Sequence, residues 1–83
     1  MAYSIFYKAS VQRDLKKPGK QEARRVLDQL EAELSKKPAS YPIFKGEFAG
    51  LRKLRVGSYR VIYAILDENV VVLRIGHRRD VYK

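Results

Sequence analysis

Residues 51–63 read L-R-K-L-R-V-G-S-Y-R-V-I-Y. Two runs rich in β-forming residues flank Val56-Gly57-Ser58, the pattern of a β-hairpin. Gly57-Ser58 suits a two-residue type II′ turn, in which glycine supplies the positive φ of the first position. That turn predicts the pairs Val56–Tyr59, Arg55–Arg60, Leu54–Val61 and Lys53–Ile62. Side chains alternate along a strand, so Leu54, Val56, Tyr59 and Val61 share one face and Lys53, Arg55 and Arg60 share the other. A slip of one residue would exchange the two sets. Arginines directly opposite each other repel. They persist either as a solvated edge with splayed side chains or because an anion sits between them.

The chain has 83 residues, a formal net charge of +9 and a pI near 10.0. That length accommodates one domain, residues 1–83, with a modest core. A hydrophobic content of 46% supports a globular fold. The absence of cysteine excludes a disulfide framework and a thiolate metal site. The N-terminus has no signal-peptide pattern and no apolar run reaches membrane-spanning length, so the expectation is a soluble, cytoplasmic protein with no membrane partner. A surface this basic attracts polyanions. The charge is uneven: residues 51–60 hold four basic side chains and no acid.

The remaining elements follow in order. Tyr3 to Tyr7 reads as a short strand. Ser10 is placed to N-cap a helix over Val11 to Lys17, which Pro18-Gly19 breaks. A longer helix over Lys20 to Lys36 aligns Ala23, Val26, Leu27, Leu30 and Leu34 in one apolar stripe; Arg24 and Arg25 read as its solvated surface. A loop with two prolines, residues 38–46, drops Ile43 and Phe44 onto the core. Asp67-Glu68-Asn69 makes a second turn, and Val70 to Ile75 is a β-branched strand apolar on both faces except at Arg74, hence central in the sheet. A Glu68-Asn69 turn would put Arg60 opposite His77. The order β-α-α-β-β-β predicts an α+β fold, with two N-terminal helices on a four-stranded, largely antiparallel sheet.

One histidine excludes a two-histidine ribonuclease, and the basic strands lack the acids of a two-metal site. What the two hairpins and the tail bring together is Lys53, Arg55, Arg60, His77, Arg78, Arg79 and Tyr82. Fixed cations aimed at developing charge stabilise a phosphate in its transition state. RNA carries its own nucleophile, the 2′-OH, which needs orienting and two proton transfers. Lys53 beside other cations, or His77 by its intrinsic pKa, can serve as base. Tyr82 offers a face for base stacking. Tyr59 and Tyr63 are expected in the core instead.

The segments R-V-G-S-Y-R-V-I-Y and G-H-R-R-D-V-Y, with the opening strand, the V-Q-R-D-L-K-K helix and the F-K-G loop, make the chain resemble the RelE branch of the RelE/ParE toxins. The resemblance implies a fold related to microbial ribonucleases. It implies an endoribonuclease that cuts mRNA in the ribosomal A site without metal or cofactor, leaving a 2′,3′-cyclic phosphate. Matched by position, Lys53 assists proton transfer or charge stabilisation, Arg60 contacts the scissile phosphate, Arg78 protonates the leaving group or binds phosphate, and Tyr82 stacks on the base. Arg52, Arg55, His77 and Arg79 are the expected substrate-binding residues around them. Some members carry a second lysine where this chain has Leu51, beside Arg52, so the acid and the base stay unassigned. The implied partners are mRNA on the ribosome, with contacts to 16S rRNA, and a cognate antitoxin with an acidic or amphipathic C-terminal segment. Two other readings fit the same residues: a ParE-like DNA gyrase inhibitor, and a non-catalytic RNA- or ribosome-binding module.

Overall fold

The computed structural model describes residues 3–17, 19–43 and 50–77. In chain order it has β1 (Ser4–Tyr7), α1 (Ala9–Asp14), α2 (Lys20–Leu34), a 3-10 turn (Pro38–Ser40), β2 (Arg52–Val56), β3 (Tyr59–Leu66) and β4 (Asn69–His77). The sheet order is β1-β4-β3-β2, so β4 is central as its two-sided apolar pattern implies. β2–β3 and β3–β4 are antiparallel, and β1 lies parallel to β4. This is the expected α+β arrangement with one parallel pair.

The hairpin register is the predicted one, including Arg55 opposite Arg60. Gly57 takes the positive φ, 60°, that the turn requires. Leu54, Val56 and Val61 are buried and Tyr59 packs against them. Across from that face α2 buries Val26, Leu30 and Leu34, its apolar stripe. Each such leucine stabilises the fold by roughly 1.5–3 kcal/mol through the apolar area it removes from water. Tyr63 is fully buried, its hydroxyl donates to the Pro38 carbonyl, and burial pushes its pKa up to about 12.

Three local readings change. α1 starts at Ala9, so Ser10 lies inside the helix and is not its cap. The Ser10 hydroxyl instead donates to the Leu73 carbonyl, 2.7 Å away. Ile43 does not reach the core and is 52% exposed. Backbone anchors that loop: the Lys53 N–H donates to the Pro42 carbonyl, and Ile43 bridges to Arg52. Phe44 lies outside the described residues. The second turn is Asp67-Glu68, with Asp67 at φ 57° and Leu66 facing Asn69.

β4 also carries a bulge. Tyr63 pairs with Val72 but Ile62 pairs with Arg74, leaving Leu73 as the extra residue. β1 pairs only as far as Val72. Beyond that point α1 occupies the edge of β4 with side chains. Ser10 takes the Leu73 carbonyl, and Asp14 accepts the Ile75 N–H at 2.9 Å and two bonds from Arg74 at 2.9 and 3.1 Å. Among the described residues no helix is long and apolar enough to cross a membrane.

Asp14→Ala removes three hydrogen bonds and strands a part-buried backbone N–H. It should lower unfolding stability by about 2 kcal/mol, read as a reduced urea midpoint with an unchanged m-value. A midpoint equal to the parent's would show that water replaces the carboxylate.

Candidate functional site

Register decides which side chains meet. Lys53, Arg55, Arg60 and Ile62 share the sheet face turned away from α2, with Arg74 and Gly76 of β4 paired beside them. The three cations come from a hairpin whose other face is core, so the buried Leu54, Val56 and Val61 hold their backbone rigid. Arg55 is exposed, Lys53 and Arg60 are half-buried, and the Arg60 Nε is shielded from solvent. Arg60 faces Gly76 across the strand pair, so no β4 side chain fills the space opposite its backbone. Ile62, 1% exposed, is the apolar floor of this face, between its strand partners Lys53 and Arg74.

The expected pairing of Arg60 with His77 does not form. The turn closes one residue earlier than Glu68-Asn69, and the Leu73 bulge takes back only one of the two positions by which the register then differs. His77 therefore pairs with Tyr59 and shares its face. The two rings meet edge to face, with centroids 6.0 Å apart and planes at 83°. Arg52 also belongs to that side. It donates to the Ala39 and Tyr41 carbonyls at 3.1 and 2.7 Å, tying the 3-10 turn to β2. The structure thus brings together Lys53, Arg55 and Arg60 and places Arg52 and His77 on the other face. Arg78, Arg79 and Tyr82 lie outside the described residues.

Sequence reasoning missed Gly76 as the bare partner of Arg60. The signal available was the glycine inside an otherwise β-branched strand, which commonly marks a close approach.

The arrangement suits a phosphate. Two guanidiniums and an ammonium, from Arg55, Arg60 and Lys53, share one sheet face and can supply charge-assisted donors.

Comparison with known proteins identifies the family. Residues 5–82 match the family model described as the ParE toxin of the type II toxin–antitoxin system parDE. The chain belongs to the RelE/ParE toxins. It is 34% identical to toxin RelG of Mycobacterium tuberculosis over 87 residues, covering 100% of this chain and 99% of that protein. It is similar to a chain of the toxin–antitoxin complex RelBE2 from M. tuberculosis, with a TM-score of 0.82 and 29% identity over 94% of this chain and 100% of that one. A chain of the chromosomal ParDE system of P. aeruginosa shares the fold, with a TM-score of 0.74 at 13% identity over 92% of this chain and 96% of that one.

For a RelE/ParE toxin with these pairings, Arg55→Thr should stabilise the fold by about 0.5 kcal/mol, because it removes a like-charge cross-strand pair. Urea unfolding in low salt measures it, and the gain should shrink in ~1 M salt, where charges are screened within about 3 Å. A gain independent of salt would trace to strand propensity instead of charge.

Proposed function

We propose that this toxin is a ribosome-dependent endoribonuclease that cuts mRNA in the A site and stops translation. The observation that carries the reading is the Lys53, Arg55 and Arg60 cluster on one sheet face, with the like-charged pair Arg55–Arg60 in register. A phosphodiester seated there places its non-bridging oxygens among fixed cations. As the 2′-OH attacks, the phosphorane gains negative charge, and donors already in place stabilise it without reorganising. The 2′-oxygen bond to phosphorus forms, the 5′-oxygen bond breaks, and a 2′,3′-cyclic phosphate and a 5′-hydroxyl result. In this scheme Arg60 grips the scissile phosphate and Lys53 assists removal of the 2′ proton or stabilises charge. Arg78 serves the leaving oxygen or the phosphate, and Tyr82 stacks on the base. Arg55 and Arg79 hold the flanking backbone. The ribosome supplies the bent, single-stranded codon that free RNA rarely presents.

The same face attracts a second ligand. A cognate antitoxin with an acidic or amphipathic segment complements it in charge and orders on binding. The M. tuberculosis RelBE2 relative is seen as a toxin–antitoxin complex, which supports that partner.

Arg60→Ala should slow cleavage by about 100-fold or more, the scale for losing one donor to a developing oxyanion, and should relieve toxicity while unfolding stays cooperative. Primer extension on mRNA in a translating extract gives the readout: cuts spaced by codons with the parent, none with the variant. A block of DNA supercoiling without mRNA cuts would replace this reading with gyrase inhibition. Ribosome sedimentation without either would leave a binding module.

A further inference from the structure

The sheet face accounts for only part of the positive charge. A second concentration lies at the α1–β4 edge, where Ser10, Arg13, Asp14, Lys17 and Arg74 line a polar hollow of about 310 Å³. Its one carboxylate is already engaged, since both Asp14 oxygens accept bonds from Arg74 and one also takes the Ile75 N–H. The Ser10 proton is given to Leu73. Arg13 and Lys17 are four residues apart, a helical turn, and both are exposed. Neither has an ion pair among the described residues. The arginines of α2 differ: Arg24 meets Asp28 at 3.9 Å and Arg25 meets Glu22 at 2.9 Å. The hollow therefore gathers three cations against one committed carboxylate, and two of the three have no carboxylate to hold.

We infer that this hollow is a second phosphate site, which grips the RNA backbone at the α1–β4 edge, beside Arg74 and separate from the Lys53, Arg55 and Arg60 cluster. The inference rests on the reading of the toxin as acting on RNA and adds where else that RNA, or the RNA around it, is held. Guanidinium and ammonium groups converging on a concave polar surface bind phosphate oxygens through charge-assisted hydrogen bonds. Such interactions read no bases; they add affinity and fix orientation. The ligand chemistry is a phosphate, and the polymer is its source, because two further cations beside an already paired Arg74 suit neighbouring phosphates of a strand.

The test is binding of a short labelled single-stranded RNA across a salt series, with Arg60→Ala in every protein so that the RNA stays intact. Arg13→Gln with Lys17→Gln should weaken binding about tenfold at low salt and flatten the log affinity–log salt slope by about 1.4, roughly 0.7 for each phosphate no longer neutralised. The control, Arg24→Gln with Arg25→Gln, removes the same charge from carboxylate-paired arginines and should flatten the slope by much less. An unchanged slope in the first variant, or equal flattening in both, overturns the site. Inorganic phosphate is the second arm. It should displace the RNA only at far higher concentration; tight, saturable binding of phosphate alone would overturn the polymer assignment. Codon-spaced cleavage that survives while the slope stays unchanged removes this site and keeps the nuclease. A parent that cuts no mRNA but shows the slope change removes the nuclease and keeps the site.

Discussion

A central strand must satisfy hydrogen-bonding groups on both edges, and β4 has a full-length neighbour on one edge only. β3 follows it to His77, whereas β1 ends at Tyr7, opposite Val72. The groups beyond Val72 face α1, and an unmet buried amide costs about 1–3 kcal/mol. The chain solves this with side chains. Ser10 takes the Leu73 carbonyl and Asp14 takes the Ile75 amide. Leu73 bulges at the point where one kind of partner replaces the other. A short helix of six residues, too short to be stable alone, is held in place by the strand edge it completes.

That junction sets what the far end of the sheet presents. Past the bulge the register with β3 is shifted by one, which puts Gly76 and not a side chain opposite Arg60. The same shift sends His77 to the side of Tyr59. Gly76 thus comes opposite Arg60 because of a bulge three residues earlier in β4, next to where β1 ends. The end of β4 is fixed by Asp14 at Ile75, two residues before His77.

Local chemistry was readable wherever it was self-contained. Gly57 allows one turn, the turn sets one register, and register with alternation sorts Leu54, Val56 and Val61 from Lys53, Arg55 and Arg60. The spacing of Val26, Leu30 and Leu34 located the buried stripe of α2 in the same way. Partners distant in sequence were not readable. Nothing near Ser10 shows that its hydroxyl will find Leu73 and leave its own helix uncapped. Alternation already puts Arg52 on the side of Leu54, but nothing near it shows that the carbonyls of residues 39 and 41 will accept its guanidinium. The turn after β3 misread because Asp67 accepts φ 57°, which aspartate tolerates better than most residues. That turn alone slides the register by two, which keeps the faces; the Leu73 bulge then adds the single step that moves His77 to the other face. Of the expected site, the part inside one hairpin was legible, and the part that needed two strands to agree was not.

Arg74 and Arg60 contrast in how the fold meets their charge. Arg74 and Arg60 sit on the same sheet face. Arg74 is given a bidentate carboxylate and becomes part of the scaffold. Arg60 is set across the ladder from another arginine on one side and a glycine on the other, an arrangement that strand pairing alone disfavours. Had the fold been optimised for stability only, an acid at position 55 would face Arg60 across the ladder. That acid would also repel a phosphate approaching this face. Keeping Arg55 leaves a modest repulsion of less than about 1 kcal/mol, small beside the transition-state stabilisation that one fixed cation can supply. An anion seated between the two arginines would relieve that repulsion and gain affinity from it.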